Sequence, residues 1–242
     1  MNLYRDFEKQ GNLLFRYRGQ IPIVIFIVCI PVIVFSGNYA VDNVFEKITT
    51  IGSVFVSICG FAIRITAVGN TPEGTSGRNT QEQIAEKLNT EGIYSVVRHP
   101  LYLGNYLMWL GILCFTFNLP LLIILSLTYW FYYERIMFAE EAFLEKKFGQ
   151  EFLIWTSQVP AILPSFKNYI PSEPGFSTRK VLRQEYTGFL VMVLCFCFID
   201  NLRYFLLTGS LNVLRFSIVI LIIAAIITVS LRFLKYHSQV LN

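Results

Sequence analysis

Residues 101–133 run for 33 positions without a charged side chain. A single helix of that length would measure about 50 Å at 1.5 Å per residue, against a bilayer hydrocarbon core of about 30 Å. Asn118, Leu119 and Pro120 stand at its middle, where proline interrupts a helix. The run is expected to fold as a tight hairpin of two short helices, each about 16 residues or 25 Å long. Four more apolar stretches approach the length of a membrane span. Residues 21–41 hold no charge, residues 48–68 hold only Arg64 near their end, residues 186–207 turn polar at Asp200 and Arg203, and residues 211–231 hold Arg215 near their start.

Composition agrees. Hydrophobic residues make up 54% of the 242 and charged ones 15%, where an ordinary soluble domain carries about 25% charge. Mean hydropathy is +0.53. There is too little polar side chain to cover a water-soluble globule, and disordered, collagen-like and repeat architectures are excluded as well. The expected fold is all-α, a polytopic transmembrane helical bundle of about six spans.

Lysine and arginine set the expected orientation. With the N-terminus cytoplasmic, 17 of the 20 fall on the inner side and only Lys47, Arg203 and Arg215 outside. Both long polar segments, 69–100 and 134–183, then face the cytoplasm, as do both termini. The net charge of +4 calls for no nucleic acid, because cationic flanks against an anionic leaflet account for it. Cys29, Cys59, Cys114, Cys195 and Cys197 all lie in apolar runs without zinc-ligand spacing, so no metal site is expected. No cleavable signal peptide is apparent. A break around Pro171 divides the chain into an expected core at 1–170 and a C-terminal transmembrane helix pair at 171–242.

The chemistry-bearing residues gather in 86–105 and 134–164. The first segment reads G-I-Y-S-V-V-R-H-P-L-Y-L-G-N from Gly92 to Asn105. Pro100 suits the first turn of the hairpin's first helix. Arg98 and His99 then stand just before a helix N-terminus, where an anion is favoured. The plain alternative is a cationic anchor with Tyr102 in the aromatic belt. The second segment reads E-R-I-M-F-A-E-E-A-F-L-E-K-K-F-G from Glu134, followed by V-P-A-I-L-P from Val159. At helical spacing Glu140 shares a face with Ile136, Phe143, Leu144 and Lys147, and an acid on an apolar face near a membrane is a functional candidate. The alternative is an amphipathic surface helix.

Taken together, the pattern G-x-Y-x-x-x-R-H-P-x-Y-x-G, an apolar hairpin, E-E-x-x-L-x-x-x-F-G and V-P-x-x-L-P resembles the isoprenylcysteine carboxyl methyltransferase family, whose wider group includes membrane phospholipid methyltransferases. The resemblance spans about 88–164. It implies an S-adenosylmethionine site at the cytoplasmic membrane edge. His99, Pro100, Leu101 and Tyr102 would surround the cofactor's carboxylate. Leu88 and Tyr94 would line its nucleoside, and Glu140 would meet its ammonium group. The family's carboxyl methyltransferases place an arginine four residues before that glutamate. Here Ile136 stands there and Arg135 is one position off.

The residue chemistry suits this cofactor independently. Arg98 and His99 complement a carboxylate, Glu140 or Glu141 an ammonium, and the ring of Tyr94 or Tyr102 a sulfonium. Arg98, Arg135 and Glu141 are the candidates for the reacting end. The acceptor is expected to be a carboxylate or phosphate of a lipid or lipidated substrate, already ionised at neutral pH and needing no base. An amine acceptor would need one. Arg64 and Arg78 are further cations, for an anionic head group or simply for cytoplasmic-side topology, and the run from Gly74 to Thr80 reads as a loop over the site or a plain connector. Phospholipid N-methylation, a membrane reductase using a nicotinamide cofactor, and a non-enzymatic membrane protein are the other readings.

Overall fold

A computed structural model describes residues 3–36, 43–72, 83, 85–173 and 175–238. Among them the chain is helical throughout. The elements are α1 (Leu3–Arg16), α2 (Ile21–Ser36), α3 (Asn43–Gly69), a 3-10 turn (Gly92–Ser95), α4 (Pro100–Phe115), α5 (Leu119–Phe148), α6 (Gln150–Gln158), α7 (Thr178–Thr208) and α8 (Phe216–His237).

Four helices, α3, α5, α7 and α8, are long and apolar enough to cross a membrane. A fifth span exists if α1 and α2, bent by 78° at their junction, count as one. The polytopic helical bundle is thus present, but the expected count of about six is not reached by length. At 16 residues α4 is the short arm of the hairpin.

The hairpin itself is less symmetric than expected. Pro100 opens α4, where its missing N–H is no loss. The turn comes at Thr116–Asn118, and the Asn118 side chain accepts the Leu121 N–H at 3.0 Å, which caps α5. Pro120 then falls in the first turn of α5, where a proline does no harm. The second arm does not stop at the membrane edge. With neither glycine nor proline near Glu134, α5 runs unbroken for 30 residues, about 45 Å, so one helix holds both the hydrocarbon arm and the acidic pair. It ends at Gly149, which takes φ +54°, a region that favours glycine.

Residues 85–88 are not helical, although the composition from Gln81 to Leu88 reads as helix-like. Ala85 and Leu88 are instead buried there as loop anchors. Arg78 and the run from Gly74 to Thr80 lie outside the described residues.

The chain forms two compact units. One comprises residues 1–29, 70–103 and 124–176. The other comprises 30–69, 104–123 and 177–242. In the first, α1 crosses α5 so closely that a Cβ on Gly11 would stand 2.1 Å from the Arg135 carbonyl oxygen. The Tyr132 hydroxyl donates to the Leu14 carbonyl at 2.9 Å. Phe15, Tyr102, Tyr133, Ile136 and Met137 form the core beneath that crossing.

In the second unit, α7 packs on α8 and α3. The Ser57 hydroxyl donates to the Met108 carbonyl at 2.8 Å. Buried and half-buried arginines here are matched to acids. Arg64 grips Glu185 with two hydrogen bonds of 2.8 Å and also reaches Asn105. Arg203 meets Glu46 at 2.9 Å, and Arg215 meets Asp200 at 2.9 Å. Arg203 and Arg215 were two of the three cations counted as exceptions to the inside rule, and each is neutralised by its own acid. Arg64 is likewise engaged by an acid, which leaves it less free for a head group.

Candidate functional site

The first unit assembles the sequence-predicted residues from two segments. Residues 96–99 come down from the 3-10 turn and are held by main-chain bonds to the stretch after α6. The Arg98 N–H donates to the Pro160 carbonyl at 2.9 Å and the His99 N–H to the Ala161 carbonyl at 3.3 Å. The Ser165 N–H returns to the Val96 carbonyl at 2.9 Å. The V-P-A-I-L-P run thereby braces the backbone of the R-H-P run. Val97 and Pro100 are fully buried on either side.

Held this way, the His99 ring points at the adjacent acids of α5. Its Nε2 lies 2.8 Å from Glu141 Oε1, and its Nδ1 lies 3.7 Å from Glu140 Oε2. Successive helical residues project about 100° apart, so one imidazole fits between two neighbouring carboxylates. Glu141 Oε1 also forms an ion pair with Arg98 Nη1 at 3.1 Å, whereas the buried Arg98 Nε has no hydrogen-bond partner among the described residues. His99 is 7% exposed. The two carboxylate side chains remain about a third exposed, at 31% and 28%. The group is thus closed on the imidazole side and open on the acid side.

Aromatic rings wall it. Tyr102 stacks near His99 with centroids 5.8 Å apart, and Tyr133 lies 5.0 Å from Tyr102. Tyr129 stacks on Tyr133 at 4.2 Å, and its hydroxyl donates to the Tyr102 carbonyl at 2.7 Å. The Tyr102 phenol faces Glu140. Leu101 beside it is half-buried.

Leu88 and Tyr94 come together in a neighbouring apolar cluster. Leu88 is buried with Phe152, Trp155 and Val159, and Tyr94 packs against them. The Trp155 indole N–H donates to the Tyr94 carbonyl at 3.1 Å. Val159 ends that cluster, and the next two carbonyls hold Arg98 and His99, so the apolar and charged groups share one brace.

Arg135 is not brought to this group. Its guanidinium lies over the Phe7 ring at 3.6 Å and 3.7 Å from Glu134, because its position on α5 faces α1. Ile136, in the place of the family's arginine, is fully buried core.

Sequence reasoning missed Trp155, Pro160 and Ala161 as parts of the site. Two of these act through backbone carbonyls, which every residue has. Their signal was the spacing of the V-P-x-x-L-P run, which tells of a constraint but not of its partner.

Residues 48–151, which include this charged group, match the phospholipid methyltransferase family. The chain is 30% identical over 95 residues to the protein-S-isoprenylcysteine O-methyltransferase of Schizosaccharomyces pombe, covering 37% of this chain and 40% of that protein. It is 36% identical over 80 residues to protein-S-isoprenylcysteine O-methyltransferase B of Arabidopsis thaliana, covering 32% and 40%. It is also 35% identical over 82 residues to the cobalt-zinc-cadmium resistance protein CzcN of Cupriavidus metallidurans, covering 34% and 38%. The matches span about two fifths of the length of these relatives. No solved structure matches the chain. The motifs, the helical membrane architecture and these matches agree: residues 48–151 are similar to the phospholipid methyltransferase family and to protein-S-isoprenylcysteine O-methyltransferases.

Proposed function

We infer that this protein is an S-adenosylmethionine-dependent methyltransferase. In this reading it O-methylates a carboxylate or phosphate of a lipid or lipidated substrate at the cytoplasmic face of its membrane. The observation that carries the reading is His99 between Glu140 and Glu141, with Arg98 on the same carboxylate. An amino-acid zwitterion presents one anionic and one cationic group a few ångströms apart. The site offers the complement, a cationic edge at Arg98 and His99 beside an acidic edge at Glu140 and Glu141. The orphaned Arg98 Nε is a spare donor on the cationic edge.

When bound, S-adenosylmethionine supplies a methyl group on a positively charged sulfur. Glu140 and Glu141 would hold its ammonium, and Arg98 and His99 its carboxylate. The Tyr102 ring offers a face to the sulfonium, and the Leu88–Tyr94–Trp155 cluster an apolar wall to the nucleoside. Transfer to an oxyanion cancels charge, so the reaction gains from a dry, positioning site rather than from a base. With His99 assigned to the cofactor's carboxylate, no second histidine stands near the site among the described residues to serve as base for an amine acceptor, which favours O- over N-methylation. Arg98 and Glu141 are the residues assigned to the reacting end, and no step is routed through Arg135. All of these residues lie in the first unit, and α7 and α8 supply none of them.

Isothermal calorimetry of the purified protein tests the reading. Binding of S-adenosylmethionine and its demethylated product, with none of NADPH, is expected. Binding of NADPH alone would support a reductase, and binding of none of the three would leave a non-enzymatic membrane protein.

A further inference from the structure

Helix α1 has a second face that the site does not use. Tyr4, Phe7, Gly11 and Phe15 face α5. On the opposite side Arg5, Lys9 and Arg16 are all exposed. At about 100° per residue these three cations fall within about 40° of one another, a single stripe along the helix. None has an acidic partner among the described residues. Of the two acids on α1, Glu8 is turned onto Lys146, and Asp6 stands about 60° or more from each of the three. Beside the stripe Leu13 and Tyr17 are 56% and 50% exposed.

The chain then turns by 78° into α2, whose Ile23, Val24, Ile27 and Val28 are exposed apolar side chains. If α2 runs into hydrocarbon, α1 runs nearly parallel to the membrane plane. Cations beside a leucine and a tyrosine suit the headgroup layer. A stripe of positive charge alone would fit water. The turn, the apolar flank and the absence of internal counter-charge together favour lipid.

We propose that α1 is a headgroup-level docking surface for anionic lipid, with Arg5, Lys9 and Arg16 binding lipid phosphates and Leu13 and Tyr17 seated at the acyl boundary. Because α1 is sutured to α5 at Gly11, Leu14 and Glu8, this surface also sets the height of Glu140 and Glu141 relative to the leaflet.

The test places a fluorescent amino acid at position 13 of the whole protein, reconstituted in mixed phosphatidylcholine and phosphatidylglycerol bilayers. A nitroxide near the top of the acyl chain is placed on one lipid or the other at equal mole fraction. Each surface cation contributes about fivefold in local enrichment at low salt, so quenching by the anionic lipid should exceed that by phosphatidylcholine severalfold. The combined variant Arg5→Gln, Lys9→Gln and Arg16→Gln should equalise the two, as should high salt. Equal quenching in the unaltered protein, no quenching by either lipid, or an unchanged preference in the triple variant would each overturn the proposal. Retained cofactor binding by the variant shows that it is folded.

Discussion

Charged side chains gather in two regions, and they are neutralised differently. In the unit containing α3, α7 and α8, three arginines each have an acid of their own: Arg64 with Glu185, Arg203 with Glu46, Arg215 with Asp200. Arg64 and Glu185 meet through two parallel hydrogen bonds, and Asp200 also accepts from Ser217. In the unit containing α1 and α6, the accounts do not match one to one. Two acids approach His99, Glu141 is shared by Arg98 and His99, and one Arg98 nitrogen is left over. Pairs of the first kind hold helices together. A group of the second kind keeps unused valences and exposed carboxylate edges, which is what a site for a charged ligand requires.

The comparison breaks most visibly at Glu185. Glu185→Leu should strand Arg64 in a largely buried place and lower stability by about 3 kcal/mol, within the range for an orphaned buried charge. Its thermal midpoint in detergent should fall sharply, and adding Arg64→Met should restore most of the loss. If the single variant melts like the parent, the pair is not structural.

Next come Glu140→Gln and His99→Ala. A charge-assisted hydrogen bond contributes roughly 1.5–3 kcal/mol, so cofactor binding should weaken about tenfold to a hundredfold in each. The melting temperature should move much less than in Glu185→Leu, and that contrast is what separates the two kinds of cluster. Glu145→Gln, on an exposed position of α5, should leave calorimetric affinity unchanged. Full affinity in both site variants would remove the basis for placing the cofactor here.

Gly11→Ala tests the α1–α5 crossing. The new methyl meets main chain that cannot give way, and overpacking of this sort costs about 2 kcal/mol. A melt at the parental temperature would count against so close an approach. The smallest expected effect is at the hairpin. Asn118→Ala removes the cap on α5 and should cost about 1 kcal/mol, whereas Pro120→Ala, in a first turn that tolerates either residue, should melt within a degree or two of the parent, about the size of a few tenths of a kcal/mol.

The membrane architecture was legible because hydropathy is a property of long runs. The uncharged residues 101–133 announced two helices and Asn118–Pro120 announced the turn. What failed was the end of the second arm. The change from apolar to charged side chains at Glu134 was read as a boundary, but a helix is stopped by backbone chemistry, and nothing stops α5 before Gly149. Length alone credits fewer spans, since α4 is apolar enough but only 16 residues long, as expected for a short hairpin arm.

At the site, residue types alone left a membrane anchor or a surface helix open for Arg98, His99, Glu140 and Glu141, and it was the spacing of the combined motifs that singled them out. Arg135 was chosen by its nearness to a family position. One residue along a helix is a rotation of about 100°, and that carried it to the α1 face. The role of Arg64 was hidden because its partner Glu185 lies 121 residues away.

The unbroken α5 has one further consequence. The tyrosines that wall the site, Tyr129 and Tyr133, and the acids that furnish it, Glu140 and Glu141, stand on a single rod, so their angular phase is common. Inserting one residue between Tyr133 and Glu140 would swing both acids about 100° round the axis and advance them by about 1.5 Å, off the imidazole altogether. Inserting seven would bring them back to within about 20° of their original bearing, but displaced by about 10 Å along the rod. No length change in that interval restores both bearing and height. Evolution of this segment is therefore confined to substitution.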